Sequence, residues 1–101
     1  MLPFGRFRVA DGSMEPTLRA GDHVLVYRWA YRRTRPRSGD VVVLRDPEDA
    51  DRYLVKRVAE TKPPDRVVVL GDNRAASRDS RHFGLVGVGS IVGKVVVRAR
   101  G

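Results

Sequence analysis

The sequence predicts an all-β fold, built as a coiled antiparallel sheet or a partly open barrel, with at most one short helical turn. Short runs of β-branched residues, such as Val41-Val42-Val43-Leu44, recur along the chain. Gly, Pro and Asp separate these runs at points such as Ser38-Gly39-Asp40. Many short strands joined by frequent turns are typical of compact coiled sheets and small barrels.

Apolar runs predict six strands, and the residues between them predict turns or loops. The predicted strands are Phe7–Val9, His23–Tyr27, Val41–Leu44, Tyr53–Ala59, Val67–Leu70 and Ile91–Val97. A helical turn is expected after Ser13, through Pro16 and Leu18. Tyr27–Gly39 and Gly71–Gly84 lack strand patterning, and polar loops of that length usually have a functional reason. We expect residues 1–101 to form one domain.

The composition excludes several kinds of site. The chain has no cysteine, which rules out disulfides, thiolate zinc sites and a cysteine nucleophile. Its two histidines, His23 and His82, argue against a histidine-built metal site, and no metal or cofactor is expected. No apolar run is long enough to span a bilayer, and the N-terminus lacks a signal-peptide core. We therefore expect a cytoplasmic protein, peripheral at a membrane at most.

The net charge of +8 allows binding to nucleic acid, to anionic lipid or to an acidic protein. Most basic residues are arginine, and the lysines are Lys56, Lys62 and Lys94. Lysine can lose its proton near neutral pH, whereas arginine cannot. Each lysine is therefore worth examining as a base.

Ser13 is a candidate nucleophile. Because glycine precedes it, the backbone can adopt a tight conformation that leaves Ser13 accessible. The Ser13 N–H is then free to face the oxygen of an incoming carbonyl, as an oxyanion hole requires. A helix N-cap is the structural alternative for this serine.

A serine nucleophile needs a base, and the sequence offers two. His82 with Asp79 would complete a Ser-His-Asp triad. Lys56 is the competitor, because strand alternation places it on the same face as Leu54 and Val58. Burial there, together with repulsion from the adjacent Arg57, would lower the pKa of Lys56. A lysine whose stem packs while its amine reaches water is the structural alternative.

The polar loop after the fifth predicted strand holds further candidates. Ser77 or Ser80 can exchange a hydrogen bond with a nearby lysine and orient it, and Asp79 can pair with Arg81 to brace the loop. Gly71 and Asn73 suit backbone positions with positive φ.

Six motifs in order resemble those of the signal peptidase I family, from about Gly12 to Val97. They are Ser13-Met14-Glu15-Pro16-Thr17-Leu18, Gly21-Asp22, Gly39-Asp40-Val41-Val42-Val43, Val55-Lys56-Arg57-Val58, Gly71-Asp72-Asn73 with Ser77–Gly84, and Val92-Gly93-Lys94-Val95. The resemblance implies a Ser–Lys dyad on the coiled β-sheet of the signal peptidase catalytic core, with Ser13 as nucleophile and Lys56 as general base. It further implies that Ser77 hydrogen-bonds the lysine, and that Asp79 and Arg81 form a supporting ion pair.

Asp11 departs from the family pattern, since some members carry there a hydroxyl that completes the oxyanion hole. A carboxylate at this position would repel the developing negative charge. Asp11 is therefore expected to point away, to be protonated, or to leave the Ser13 backbone N–H as the main donor.

The resemblance also implies a partner, a precursor protein bound as an extended strand and shortened at its N-terminus. The chain looks most like the small proteases that mature nickel-type superoxide dismutase; general processing of secretory precursors is an alternative. A non-catalytic basic β-domain that binds nucleic acid is a third interpretation, but no nucleic acid is expected. Aromatic and basic residues between the second and third predicted strands suit an anionic membrane surface. These residues are Tyr27, Trp29, Tyr31, Arg32, Arg33 and Arg35.

Overall fold

The computed structural model describes residues 2–100, which form one seven-stranded antiparallel sheet that does not close into a barrel. The strands are β1 (Phe4–Arg8), β2 (His23–Tyr27), β3 (Val41–Asp46), β4 (Asp49–Lys62), β5 (Arg66–Leu70), β6 (Val86–Gly87) and β7 (Ile91–Ala99). Their order across the sheet is β1-β2-β7-β3-β4-β5-β6. The predicted all-β class is confirmed.

The observed strand ends differ from the predicted ones where pairing with a neighbouring strand, and not the local sequence pattern, sets the length. β2 has the predicted bounds, but β4 extends well beyond the predicted Tyr53–Ala59 at both ends. Its polar ends are held by pairing, with β3 at the start and with β5 at the finish. β6 was not predicted, because two residues carry no periodic signal.

Helical structure in residues 2–100 is limited to short turns near the polar loop. These are α1 (Ser80–Phe83) and the 3-10 turns Arg74–Ala76 and Val88–Ser90. The segment after Ser13 forms a non-helical turn, closed by the Leu18 N–H donating to the Met14 carbonyl at 3.0 Å. The expected helical turn therefore lies in the polar loop instead. No helix in residues 2–100 has the length and apolar character needed to cross a membrane.

Apolar side chains pack on both faces of the sheet. Within β3, Val42 and Leu44 join one buried cluster while Val43 joins the other, as the two-residue period of a strand requires. The second cluster also contains Met14, which has no exposed surface. The residue that follows Ser13 is thus anchored in the core, and this anchor fixes the position of Ser13.

Candidate active site

Ser13 lies in the connection between β1 and β2, and 5% of its surface is exposed. The Glu15 N–H donates to the Gly12 carbonyl at 3.2 Å, which closes a tight turn around the serine. A Cβ at position 12 would lie 2.5 Å from a carboxylate oxygen of Glu15, at the end of a flexible side chain that can move aside. The expectation of an accessible Ser13 is therefore wrong in one respect: packing of the adjacent Met14 buries Ser13 against the protein.

Lys56 lies on β4 with 2% of its surface exposed, on the face that it shares with Leu54 and Val58, as predicted. Its Nζ donates a hydrogen bond to Ser77 Oγ at 3.0 Å. Burial lowers the pKa of Lys56 below its ordinary value, although nearby carboxylates, first Asp11 and then Asp79, act in the opposite direction. A neutral amine, the form that can accept a proton, is thereby favoured.

The predicted contribution of Arg57 to this pKa shift is wrong. Arg57 points to Asp72, and its Nε lies 2.9 Å from Asp72 Oδ1. The cation that lowers the pKa of Lys56 is instead Arg78, which pairs with the buried Asp46 and with Glu48. Arg78 was not among the predicted site residues, because its role depends on Asp46 and Glu48, about 30 residues earlier in the chain.

Asp79 orients Ser77 and is itself completely buried. Ser77 Oγ donates to Asp79 Oδ2 at 3.0 Å, and Arg81 Nε donates to Asp79 Oδ1 at 3.0 Å. The backbone N–H of Gly71 supplies a further bond to Oδ2 at 2.9 Å. Burial alone would raise the pKa of Asp79, but these hydrogen bonds, led by that from Arg81, hold it far below its usual range.

The ionised Asp79 therefore decides where the Ser77 proton lies. A carboxylate can only accept, so the single hydroxyl proton of Ser77 must point to Asp79. The Ser77 oxygen is left as an acceptor toward Lys56. The structure thus brings together Lys56, Ser77, Asp79 and Arg81 in one hydrogen-bonded series.

Gly71 is needed for close approach and not for positive φ. Within residues 2–100, positive φ occurs at Gly21, Gly39 and Gly84, so the prediction for Gly71 and Asn73 is wrong. A Cβ at position 71 would overlap Ser77 Oγ and lie 2.7 Å from the Ser13 carbonyl oxygen. The backbone at Gly71 therefore packs directly against both Ser13 and Ser77.

Residues 72 and 73 hold the serine segment to the end of β5. The Asn73 N–H donates to the Ser13 carbonyl at 2.8 Å, and the Asn73 side-chain amide donates to the Gly12 carbonyl at 3.1 Å. Asp72 accepts hydrogen bonds from Thr17 and from Arg57. A role of these residues in positioning Ser13 was not predicted, because the contacts join segments about 60 residues apart.

Asp11 turns toward Ser13. Its Oδ1 accepts the Ser13 backbone N–H at 3.0 Å. Burial opposes ionisation, but the hydrogen bonds from Ser13 and the charge of Lys56 outweigh it, and the pKa of Asp11 is lowered. Of the three expected arrangements, pointing away and protonation are wrong, and the Ser13 N–H is already engaged.

Ser13 and Lys56 both line a cleft of about 310 Å³. One wall is residues 7–11, which include the end of β1, and the other is residues 51–56 of β4. Within residues 2–100, β1 pairs with β2 alone, and this part of β4 pairs with β3 alone. The cleft therefore lies between two strands that each have one unpaired edge.

No triad forms around His82. Its side chain is exposed, and its Nδ1 lies 4.0 Å from Asp79 Oδ1. Among residues 2–100 no hydrogen bond joins His82 to Ser13, and Asp79 is committed to Ser77 and Arg81. Nor do residues 2–100 contain a group of three or more His, Asp and Glu side chains arranged to hold a metal ion.

The aromatic and basic segment after β2 divides into two parts. Tyr31 packs against the core, and its hydroxyl donates to Asp40 at 2.7 Å; Arg35 donates to the Pro64 carbonyl. The remaining predicted residues stay together at the surface, where they line a shallow depression. These residues are Tyr27, Trp29, Arg32 and Arg33.

Comparison with known proteins identifies the family of the chain. The family model described as "Signal peptidase, peptidase S26" matches residues 1–68 and 59–99. The chain belongs to this family. It is 35% identical over 108 residues to the mitochondrial ATP-independent inner membrane protease subunit 1b of Arabidopsis thaliana, covering 85% of this chain and 64% of that protein.

Two further relatives show the range of the family. The mitochondrial inner membrane protease subunit 2 of Schizosaccharomyces pombe is 38% identical over 94 residues, which cover 74% of this S26 chain and 49% of that protein. Signal peptidase I of Bacillus caldolyticus is 61% identical over 36 residues, 36% of this chain and 20% of that protein. The S26 chain therefore spans between half and two thirds of the length of the mitochondrial relatives.

Proposed function

We propose that this chain is a serine endopeptidase that removes an N-terminal peptide from a precursor protein, with Ser13 as nucleophile and Lys56 as general base. The observation that carries the proposal is the buried Lys56, which lines the same cleft as Ser13 and is oriented by Ser77. The relatives are named as proteases and signal peptidases, which supports the same reaction class.

The unpaired edges of β1 and β4 support an extended substrate. A peptide strand in the cleft can take backbone hydrogen bonds from one or both edges, whatever its side chains. Such pairing carries the scissile carbonyl along the cleft to Ser13. Phe7 and Tyr53, whose ring centroids are 5.5 Å apart, pack against each other where both line this cleft.

The reaction begins with proton transfer. Neutral Lys56 takes the Ser13 hydroxyl proton as Oγ attacks the scissile carbonyl carbon, which forms a tetrahedral oxyanion. Lys56 then gives this proton to the leaving amine, the C–N bond breaks and an acyl-enzyme remains. A water, deprotonated by Lys56, attacks the acyl carbon and releases Ser13. Ser77 keeps the lysine amine in place throughout, because Asp79 fixes the direction of the Ser77 proton.

The dyad is tested by substitution. Lys56→Arg should be as inactive as Lys56→Ala, because a guanidinium stays protonated. Ser13→Ala should fold normally and lose at least about 10³-fold in kcat/KM. His82→Ala is the control and should keep its activity. If Lys56→Arg keeps substantial activity while His82→Ala loses it, the dyad is wrong.

The physiological substrate is the finer part of the proposal. A nickel-type superoxide dismutase precursor is the candidate, from the resemblance of the segment Ser77-Arg78-Asp79-Ser80-Arg81-His82-Phe83-Gly84, and a secretory precursor is the alternative. Each precursor should be incubated with the protein and with Ser13→Ala, and the new N-termini sequenced. Cleavage of the first alone, dependent on Ser13, would support the maturation role; cleavage of the second alone would contradict it. Salt-sensitive binding to single-stranded nucleic acid, with no cleavage of either, would favour the non-catalytic interpretation.

We also propose that the surface after β2 contacts an anionic membrane. Arg32 lies 4.1 Å from the centre of the Trp29 ring, and the exposed Phe4 packs on Tyr27 with ring centroids 5.2 Å apart. Aromatic rings beside arginines suit the interface between lipid headgroups and acyl chains. Arg33 adds a further exposed charge.

Co-sedimentation with vesicles tests this surface. Binding to vesicles that contain phosphatidylserine should be strong at low salt and weak at high salt, and absent with neutral vesicles. Reversing Arg32 and Arg33 to Glu should weaken it at least about tenfold. Reversing Arg66 and Arg100, which are also exposed, gives a variant of equal net charge as control. Equal loss in both double variants would mean that net charge alone drives binding.

A further inference from the structure

The donor that an oxyanion needs is occupied in this structure. The Ser13 backbone N–H donates to Asp11 Oδ1 at 3.0 Å. A backbone N–H has one proton to donate, so the carboxylate and a substrate carbonyl oxygen compete for it. In the reaction proposed above, the oxyanion forms at the place that this donor serves.

The charge of Asp11 opposes the reaction in a second way. Asp11 lines the cleft together with Lys56, and the two attract each other. A negative charge beside the lysine favours its protonated form, which cannot act as a base. The same carboxylate therefore occupies the oxyanion donor and holds back the general base.

Asp11 is placed so that it can move away. Its side chain is exposed, and the hydrogen bonds that hold it come from Ser13. Arg52, on the opposite wall of the cleft, attracts Asp11 electrostatically. A carboxylate that leaves Ser13 therefore has a cation to meet within the same cleft.

We infer that Asp11 is an autoinhibitory latch: its carboxylate occupies the Ser13 N–H in the free protein, and a bound peptide must displace it toward Arg52 before Ser13 can attack. The inference rests on the proposed function, because it concerns the same serine. It predicts that this peptidase has a low activity toward small substrates that fill too little of the cleft to displace Asp11.

Acylation by p-nitrophenyl acetate measures the latch without a protein substrate. Release of p-nitrophenolate gives the rate, and intact mass with peptide mapping locates the acetyl group on Ser13. Asp11→Ser and Asp11→Asn should accelerate acylation about tenfold, because a neutral oxygen accepts the Ser13 N–H less strongly than a carboxylate and competes less with the carbonyl oxygen. Asp65→Ser removes an exposed carboxylate from the β4–β5 turn and should leave the rate unchanged.

The pH dependence separates the latch from a structural effect. Loss of the Asp11 charge lowers the pKa of Lys56, so the acid limb of the acylation rate should move to lower pH in Asp11→Asn. The charged groups that influence the Lys56 amine are Asp11, Asp79, Arg78 and Asp46. Those around Asp11 in the cleft are Lys56, Arg52, Arg8 and Asp51. Asp11→Asn removes one charge, that of Asp11, from the groups around Lys56 and leaves the shape of the side chain almost unchanged.

A double-mutant cycle tests the path of displacement. Arg52→Ala should slow peptide cleavage several-fold when Asp11 is present, and should have no effect in the Asp11→Ser background. If both Asp11 variants react more slowly than the wild type while the wild type is acetylated on Ser13, Asp11 assists the reaction and the latch is wrong. If Ser13 is acetylated in none of the proteins, the proposed function itself fails.

Discussion

Asp79 and Asp11 both act on the Lys56 amine, yet the protein holds them in opposite ways. Asp79 has no exposed surface and accepts hydrogen bonds from Gly71, Ser77 and both the backbone and side chain of Arg81. Asp11 is exposed and is held by Ser13. Asp79 is enclosed by donors from three residues, one of which, Gly71, directly follows β5, whereas Asp11 is held by Ser13, two residues away.

The same chemical group therefore has two roles: the Asp79 carboxylate orients Ser77, and the Asp11 carboxylate restrains Ser13. A carboxylate whose lone pairs are all used cannot turn, and Asp79 therefore transmits a fixed direction through Ser77 to Lys56. A carboxylate with few partners can exchange them at low cost. The hydrogen bonds of Asp79 are thus fixed, whereas a substrate can replace the hydrogen bond of Asp11.

Among the residues around Asp79, the largest loss of activity is expected from a substitution at Gly71, which packs against Ser77 and Ser13. In Gly71→Ala the new methyl group overlaps Ser77 Oγ and presses on the Ser13 carbonyl, so both the orienting serine and the nucleophile must shift. We expect kcat/KM to fall by about 10²-fold or more, since displacements near 1 Å cost that much. Gly87→Ala is the matched control, because it has open space and φ of −75°. Activity within threefold of the wild type in Gly71→Ala would show that the close approach is unimportant.

Asp79→Asn should have the next largest effect and sharpens the contrast with Asp11→Asn. The amide cannot hold the Ser77 proton as a carboxylate does, so kcat/KM should fall by roughly tenfold or more, whereas Asp11→Asn should gain activity. Both changes remove a negative charge near Lys56 and should move the acid limb of the pH–rate profile to lower pH. Opposite rates with the same pH shift would separate orientation from charge. A gain in Asp79→Asn would contradict the orienting role.

Stability should distinguish the same two carboxylates. Asp79 is buried and accepts hydrogen bonds from Gly71 and Ser77, so Asp79→Asn should lower the free energy of unfolding by about 1–3 kcal/mol, the cost of leaving a buried donor unsatisfied, measured by urea denaturation. The pKa of Asp79 is depressed in the folded protein, so its stabilisation is present above about pH 4 and is lost as the pH falls further. The difference between wild type and Asp79→Asn should therefore narrow below about pH 4. A difference that stays constant with pH would contradict this.

The sequence predicts features that depend on local pattern. Alternation in Leu54-Val55-Lys56-Arg57-Val58 is enough to place the lysine on an apolar face, and the structure has it there. β2 is also predicted with its observed bounds, because Gly21-Asp22 precedes it and the segment after Tyr27 lacks strand patterning. These predictions need no knowledge of distant residues.

Features that depend on contacts between distant segments escape the sequence. Gly71 is a glycine because Ser77 and the Ser13 carbonyl lie against it, and nothing beside Gly71 in the chain distinguishes this reason from positive φ. Arg57 was expected to lower the pKa of Lys56, but it pairs with Asp72, which reaches it only once β4 and β5 pair. The direction of the Asp11 side chain depends on a donor that the folded turn exposes.

Among the residues that hold Asp79, Arg81 is expected to have the smallest effect on activity and stability. Its side chain is 40% exposed and reaches Asp79 from the solvent side, while Gly71 and Ser77 hold the carboxylate from within. Arg81→Ala should therefore reduce kcat/KM only about threefold and lower the free energy of unfolding less than Asp79→Asn does, measured by peptide cleavage and urea denaturation. His82→Ala, an exposed neighbour, serves as control. If Arg81→Ala loses as much activity as Asp79→Asn, the orientation of Asp79 depends on Arg81. Gly71 and Ser77 would then be unable to hold the carboxylate without it.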